Sequence, residues 1–354
     1  MARLLIGFIM AFFVSLAITP LIRKLAFRIG AIDKPDARKV HSRIMPRLGG
    51  VAIYLAFTVV VVLMEPLSQK LVGLLIGGTI ITIVGLVDDI RNVSPRVKLL
   101  GQIVAAGVLV AFGAKVNFIT NPFGPLIYLY AFGIPLTIFW VVGVTNAVNL
   151  VDGLDGLAGG LSSIAAMTIA IISWHEGQTA AVLPAVVLCA GIAGFLKYNF
   201  YPAKIFMGDS GSLFLGYMLA GLSIIGLTKG AAVISVFVPV LIFGIPIFDT
   251  LFAILRRYIN NKPIFEADKE HLHHRLLALG LSHRQTVFII YGVSCFLGAS
   301  AVFLTFLTTA QAFAVFVGIT LIVFVAANSV GVLSTKAAER LRSNAIQKET
   351  NLRA

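Results

Sequence analysis

The chain has 354 residues, of which 58% are hydrophobic and only 12% are charged, and its mean hydropathy is +0.97. Soluble globular proteins contain about 45–50% apolar and about 25% charged residues, so this composition excludes a water-soluble domain and predicts an integral membrane protein. The net charge is +13. Loop orientation in a membrane explains such an excess, and no nucleic-acid partner is expected.

Eleven apolar segments approach the length of about 20 residues that a helix needs to cross ~30 Å of hydrocarbon. In chain order they lie near residues 3–22, 48–64, 70–87, 97–114, 130–147, 158–174, 179–196, 211–228, 231–254, 286–307 and 311–331. Glycine and proline interrupt several of them, so ten spans is the alternative count. We predict an all-α polytopic membrane fold with a single catalytic domain over 1–331 and a polar, basic tail over 332–354.

Lysine and arginine predict the orientation of this fold. With eleven spans, the loops on one side carry 24 of the 28 basic residues and the loops on the other side carry 4. Basic residues accumulate in cytoplasmic loops, so the N-terminus is predicted outside and the C-terminal tail in the cytoplasm. Thirteen of the 15 acidic residues also fall on or near the cytoplasmic side. Chemistry is therefore expected in the cytoplasmic loops 23–47, 88–98, 146–160, 197–211 and 256–285.

The first cytoplasmic loop, IDKPDARKVHSRIMPRLGG, places several cations before a glycine pair. Its candidates for substrate binding are Lys39, His41 and Arg47. The alternative is an anchor to anionic lipid headgroups.

Asp88 and Asp89 end the third segment in VGLVDDIRNVSPRVK. A charged side chain at the bilayer centre costs about 2.5–3.5 kcal/mol, and acids are disfavoured at a helix C-terminus, where the macrodipole is negative. We therefore expect both carboxylates near water and beside a cation, namely Arg91, Lys98 or a bound metal.

The run NAVNLVDGLDGLAGG follows the fifth segment and repeats amides and acids at every third position. These residues are Asn146, Asn149, Asp152 and Asp155, interspersed and followed by Gly153, Gly156, Gly159 and Gly160. The glycines are expected to break the helix and to let the backbone approach a ligand. The prediction is a loop of amides and carboxylates, and an ordinary turn is the alternative.

A third acidic point, Asp209, stands in NFYPAKIFMGDSGSLFLG immediately before an apolar helix. Asp209 or the following serine can cap that helix, which is the simpler interpretation. The helix opening also presents free N–H groups that favour phosphate, and Lys204 and Phe206 stand nearby.

The segment EADKEHLHHRL carries His271, His273, His274 and Arg275 on the largest interior cytoplasmic loop. Zinc is disfavoured because three imidazoles within four residues cannot converge on one ion from a regular helix. Together with Arg256 and Arg257, these side chains fit better as donors to phosphate oxygens. A solvated basic loop is the alternative.

Acids at three segment ends and two basic loops on one face predict a site for a hard divalent cation and a multiply charged anion. Mg²⁺, with Mn²⁺ as a substitute, suits such a site because it uses one or two carboxylates and phosphate oxygens. The chain contains no GxxxxGK[ST] motif, which excludes a P-loop hydrolase. We predict phosphoryl-group transfer from a nucleoside diphosphate onto a lipid phosphate. An ion-coupled transporter, which expects polar groups near the midplane, is the remote alternative.

Four motifs, DDIRNVSPRVK, NAVNLVDGLDGLAGG, FMGDSGSLFLG and HLHHRL, resemble those of the polyprenyl-phosphate N-acetylhexosamine-1-phosphate transferases. The resemblance is to the bacterial branch that starts teichoic-acid linkage units, O-antigen or enterobacterial common antigen. It implies UDP-GlcNAc and undecaprenyl phosphate as substrates at the bacterial cytoplasmic membrane, with a homodimer as the candidate assembly. The phospho-MurNAc-pentapeptide branch expects three consecutive histidines, which Leu272 interrupts here. That donor and other UDP-N-acetylhexosamines remain the alternatives.

The resemblance also implies roles for individual residues. The implied catalytic residues are Asp88, Asp89, Asp155 and His273, and the implied metal ligand is Asp209. The implied substrate-binding residues are Lys98, Asn149, Asp152, Asn199, Phe206, His271, His274 and Arg275, of which Asn199 and Phe206 would hold uracil. The pattern of cations in the loops adds Lys39, His41, Arg47 and Arg256 as substrate-binding candidates. Asp249, inside the ninth segment, is a functional candidate without a role. Direct attack by the lipid phosphate, with Asp88 as base or orienting group, is favoured over a covalent aspartyl intermediate.

Overall fold

The computed structural model describes residues 1–33, 44–119, 121–227, 237–259 and 271–329. The α-helices are α1 (Ala2–Ile29), α2 (Gly49–Met64), α3 (Gln69–Arg91), α4 (Pro95–Ala111), α5 (Gly133–Val151), α6 (Leu157–His175), α7 (Thr179–Asn199), α8 (Asp209–Leu227), α9 (Phe237–Ile242), α10 (Gly244–Ile259), α11 (Leu272–Ala278), α12 (His283–Leu304) and α13 (Thr309–Ser329). Two antiparallel ribbons join β1 (Ile32–Asp33) to β2 (Met45–Pro46) and β3 (Phe118–Ile119) to β4 (Ile127–Tyr128). A short 3₁₀ helix (Tyr130–Phe132) precedes α5.

Each of the eleven predicted apolar segments contains helical residues. Among the described residues, eight helices are long and apolar enough to cross a membrane, namely α1, α3, α5 with the 3₁₀ turn before it, α6, α7, α8, α12 and α13. The helix α2 is apolar but shorter, with 16 residues. The predicted class, an all-α multi-pass membrane protein, is thereby confirmed, and the two ribbons are its only addition within the described part of the chain.

The predicted ninth segment, 231–254, differs from the expected single helix. Its described part consists of α9 and α10, which are separated at Phe243. Pro246 lies in the first turn of α10 and has no N–H to donate to Ile242, so a regular α-helical ladder cannot run through this point.

The predicted loop 146–160 is also shorter in the structure. The helix α5 continues to Val151, so Asn146 and Asn149 are helical, and α6 resumes at Leu157. Gly159 and Gly160 do not break the helix as predicted. They let α6 pack closely, because a Cβ on Gly160 would lie 2.0 Å from the ring of Tyr291 on α12.

The helix α8 forms the centre of the bundle. All of its residues from Ser210 to Leu227 are buried, and α2, α3, α5, α6 and α7 pack around it. At its first turn the approach is backbone to backbone, since a Cβ on Gly50 would lie 1.9 Å from the Cα of Gly211. Small residues permit such close packing between membrane helices. The start of α8 is therefore held at a fixed point, against the starts and ends of its neighbours.

Candidate active site

Asp89, at the end of α3, caps the first turn of α8. Its Oδ1 accepts the N–H of Asp209 at 2.9 Å and its Oδ2 accepts the N–H of Ser210 at 3.0 Å. The Asp89 side chain is fully enclosed, and Arg47 Nε lies 3.3 Å from Oδ1. A helix start leaves such N–H groups unpaired. Because Asp89 supplies this cap from another helix, the carboxylate of Asp209 is available for other contacts.

Lys98, on the first turn of α4, bridges two carboxylates. Its Nζ lies 2.9 Å from Asp88 Oδ2 and 2.5 Å from Asp209 Oδ2. The backbone N–H of Val93 donates to the other oxygen of Asp88 at 2.8 Å. The expectation that a cation stands beside the paired acids is confirmed, because Lys98 forms an ion pair with Asp88 and Arg47 forms one with Asp89.

Asn149 holds the second oxygen of Asp209. Its Nδ2 donates to Ser212 Oγ at 2.8 Å and lies 3.4 Å from Asp209 Oδ1. Asn146, one turn earlier on α5, points elsewhere and pairs with Gln102 on α4. Only one amide of the predicted series therefore reaches this acid.

A cleft of about 420 Å³ opens beside Asp209. That volume falls in the range of about 300–1,000 Å³ that small-molecule sites occupy. The predicted residues that line it are Arg47, Asp89, Asn149, Asp152, Asp155, Asn199, Phe206, Asp209 and His274. Segments that are far apart in the chain thus meet at one cavity.

Negative charge dominates the cleft. Burial, together with the negative charges of Asp209, Asp89 and Asp155, raises the pKa of Asp152 to about 7. Within the described ranges, no three side chains of the histidine, cysteine or carboxylate type form a ready metal cage. A hard cation such as Mg²⁺ does not need three protein ligands, because it binds one or two carboxylates and completes its coordination with water and phosphate oxygens. Asp209, whose side chain is 24% exposed, fits this purpose better than the enclosed Asp89.

Asp155 and Asn199 tie two loops of the cleft together. Asp155 Oδ2 accepts the N–H of Ala203 at 2.9 Å. Asn199 Oδ1 accepts the N–H of Gly156 at 3.1 Å, and its Nδ2 donates to the carbonyl of Ile205 at 3.0 Å. The Asn199 amide therefore braces the walls of the cleft, and the predicted contact of Asn199 with uracil stays a prediction.

The motif analysis did not single out Tyr201 and His283, which line the cleft together with another unpredicted residue, Asp33. The rings of Tyr201 and His283 stack at 4.4 Å with an interplanar angle of 25°, and His283 Nε2 lies 3.3 Å from the carbonyl oxygen of Asp155. Both rings stand in predicted cytoplasmic loops. Their proximity depends on tertiary packing, which the sequence does not show. The only signal in the sequence was that each ring stands in a loop already assigned to the site.

The predicted basic cluster divides into residues inside and outside the cleft. His274 lines the cleft, whereas His273 is buried beside it, with Nε2 2.4 Å from the position of a Cβ on Gly153. His273 Nε2 has no hydrogen-bond partner among the described residues. Three further members, His271, Arg256 and Arg275, are buried and absent from the cleft lining. Lys39 and His41 lie outside the described residues.

His273 is expected to make stability depend on pH. Burial, with a smaller contribution from the neighbouring His274, lowers the pKa of His273 to about 3. The pKa of an unfolded histidine is about 6.5. Between about pH 3 and 6.5 the unfolded state therefore binds more protons than the folded state. Stability then falls as the pH drops from about 6.5 towards 3. The unfolding midpoint Tm of His273→Asn should therefore fall less between about pH 7.5 and 5 than that of the wild type. Equal falls would contradict a neutral, buried His273.

Comparisons with known proteins agree with this architecture. The model of glycosyl transferase family 4 matches residues 71–227, from α3 to the end of α8. A Bacillus subtilis (strain 168) protein named "probable undecaprenyl-phosphate N-acetylglucosaminyl 1-phosphate transferase" is 44% identical over 308 residues, which cover 86% of each chain. The decaprenyl-phosphate N-acetylglucosaminephosphotransferase of Mycobacterium leprae (strain TN) is 38% identical over 319 residues, or 80% of each chain. The undecaprenyl-phosphate alpha-N-acetylglucosaminyl 1-phosphate transferase of Salmonella typhi is 34% identical over 284 residues, covering 76% of this chain and 75% of the relative.

The helical bundle and these matches define a multi-pass membrane transferase. The chain belongs to glycosyl transferase family 4, among the polyprenyl-phosphate N-acetylglucosamine-1-phosphate transferases, which confirms the resemblance of the four sequence motifs.

Proposed function

We propose that this protein transfers GlcNAc-1-phosphate from UDP-GlcNAc to undecaprenyl phosphate, giving a lipid-linked diphosphate sugar and UMP. The observation that carries the proposal is the bridge of Lys98 between Asp88 and Asp209 at the edge of the cleft. In this bridge, the ammonium group of Lys98 can contact phosphate oxygens, and the carboxylate of Asp209 can bind a metal ion. The names of the relatives supply the sugar phosphate and the class of lipid.

The reaction would take place at the cytoplasmic face of a bacterial membrane. Eleven crossings, with the N-terminus outside and the C-terminus inside, account for the distribution of basic residues over the loops. The residues around the cleft all belong to the five predicted cytoplasmic loops. A cytosolic sugar nucleotide and a phosphate at the bilayer surface would meet there. The product would begin a cell-envelope glycopolymer such as a teichoic acid or an O-antigen.

Mg²⁺ is the proposed metal, with Asp209 as its protein ligand and Asn149 and Asp152 beside it. When bound, it would neutralise charge on the diphosphate of the donor. The fit rests on the excess of acid in the cleft, where repulsion among neighbouring carboxylates contributes to the raised pKa of Asp152.

The chain's own residues would act mainly by positioning and by charge neutralisation, which is most of what phosphoryl transfer requires. An oxygen of the lipid phosphate would attack the β-phosphorus, while the bond from that phosphorus to the oxygen of the α-phosphate breaks and UMP leaves. A phosphate monoester is mostly dianionic at pH 7, so a strong base is not needed. Asp88 would orient the attacking phosphate and take any residual proton, and Lys98 would face the diphosphate.

The test is UMP release by the purified protein with polyprenyl phosphate, Mg²⁺ and a panel of UDP-sugars. UDP-GlcNAc should be the best donor, and omission of lipid or of metal should abolish release. Acceptors of ten and eleven isoprene units should be compared, because the relatives are named for both. A phospho-sugar trapped on Asp88 or Asp89 without lipid would overturn direct attack. Preference for UDP-MurNAc-pentapeptide would overturn the donor.

A further inference from the structure

Asp249 is a buried acid that the proposed reaction does not use. It lies on α10, and its side chain is 5% exposed. Its Oδ2 lies 2.9 Å from His271 Nδ1, and its Oδ1 accepts the N–H of Leu272 at 2.9 Å. Both partners stand at the start of α11, and Asp249 does not line the cleft.

Three histidines connect this contact to the cleft. The rings of His271 and His273 are parallel, with an interplanar angle of 1° and centroids 6.1 Å apart. The centroids of His273 and His274 are 4.1 Å apart. His273 rests against Gly153, and His274 lines the cleft. The placement of α11 therefore decides where two imidazoles stand.

Removing one partner from the contact between Asp249 and the start of α11 is expected to cost stability. A buried carboxylate is tolerated when its oxygens are paired, and removing one partner strands the other. Without the Asp249 carboxylate, the N–H of Leu272 and the ring nitrogen of His271 would lose their acceptor in a buried place. The start of α11 would thereby lose both of its contacts with the Asp249 side chain of α10.

We propose that Asp249 is a positioning residue for the sugar-nucleotide donor. It fastens α11 to α10, so that His273 and His274 keep their places against the turn 152–156 and the cleft, and it does not touch substrate. The proposal extends the transferase function proposed above and depends on it for the identity of the donor.

Two substitutions at Asp249 separate the two contacts. Asp249→Ala removes both acceptors, whereas Asp249→Asn keeps an oxygen for the N–H of Leu272. His271→Ala and the double variant Asp249→Ala/His271→Ala complete a cycle. Thr250→Val is the matched control, since among the described residues the Thr250 hydroxyl bonds only within its own helix, to the carbonyl of Pro246 at 2.8 Å. Full-length proteins in detergent are compared by steady-state kinetics for each substrate and by hydrogen exchange of the 272–278 peptide.

Asp249→Ala should raise the KM for UDP-GlcNAc by about 10-fold or more, the lower end of the effect of removing the carboxylate that orients a metal-binding histidine. The KM for the lipid phosphate should stay within about twofold, because the proposed function assigns that substrate to Asp88 on α3 and not to the histidines of α11. Asp249→Asn should fall between Asp249→Ala and the wild type. The double variant should be no worse than the more damaging single variant, since both residues act as one unit. Exchange in 272–278 should accelerate in Asp249→Ala and stay unchanged in Thr250→Val.

A change in both KM values by the same factor, or losses that multiply in the double variant, would overturn the positioning role. So would an active Asp249→Ala with wild-type exchange in 272–278. If Asp249→Ala does not fold, the comparison of Asp249→Asn with Thr250→Val decides by the same criteria. If the wild type has no transferase activity but Asp249→Ala still accelerates exchange, the proposed function fails while the attachment of α11 stands.

Discussion

Asp209→Asn is expected to lower metal-dependent UMP release by about 10²–10³-fold, the usual effect of removing a preorganised charged group from an active site. The substitution keeps the size of the side chain but removes the charge that meets Lys98 at 2.5 Å. Because Asp89 caps α8 through backbone N–H groups, the helix should still form. Activity and Tm of the purified variant are the measurements.

Glu65→Gln is the matched control for Asp209→Asn. It also removes one carboxylate charge, from the ion pair of Glu65 with Arg3 at 2.6 Å, far from the cleft residues. Its activity should stay within about twofold of the wild type, as for most changes away from a site. Near-normal activity of Asp209→Asn, or an unchanged dependence on Mg²⁺, would remove Asp209 as the metal ligand.

Asp88 and Asp89 are expected to respond differently to substitution. Asp89→Ala removes a buried cap, which costs about 1–2 kcal/mol for the lost hydrogen bonds alone. It also removes the nearer of the two acids beside Arg47 and leaves Asp33 at 3.8 Å. Both Tm and activity should therefore fall. Asp88→Asn should lose activity with little change in Tm, because Lys98 keeps Asp209 as its partner. Thermal unfolding and UMP release in the same detergent provide the comparison. Equal losses of Tm in Asp88→Asn and Asp89→Ala would contradict this division.

The membrane class and two acids of the site, Asp88 and Asp209, could be predicted because hydropathy and sequence motifs can be recognised within short stretches of the chain. Asp88, Asp209 and their cation Lys98 follow from acids at segment ends that need neutralisation. The cap that Asp89 provides could not be predicted, because it depends on which of two adjacent carboxylates faces a helix 120 residues later. Sequence alone offers no measure of that direction.

Helix ends were the other weakness of the sequence analysis. In NAVNLVDGLDGLAGG, glycine propensity predicted a break across the whole run. Packing instead extends α5 to Val151 and places Gly160 against Tyr291. The histidine segment was treated as a loop, whereas α11 makes it helical and buries His273. Tertiary contacts outweighed local propensity in both places.

The bridge of Lys98 to Asp209 spans 111 residues, which has a consequence for biogenesis. The α3–α4 hairpin, which carries Asp88, Asp89 and Lys98, is synthesised before α8, whose first turn supplies contacts to Asp89 and Lys98. A chain interrupted before Asp209 would therefore present a carboxylate and an ammonium group with incomplete partners, a feature that distinguishes an unfinished product from a mature one. Insertion of the second half of the chain thus completes both the bundle and its electrostatic balance.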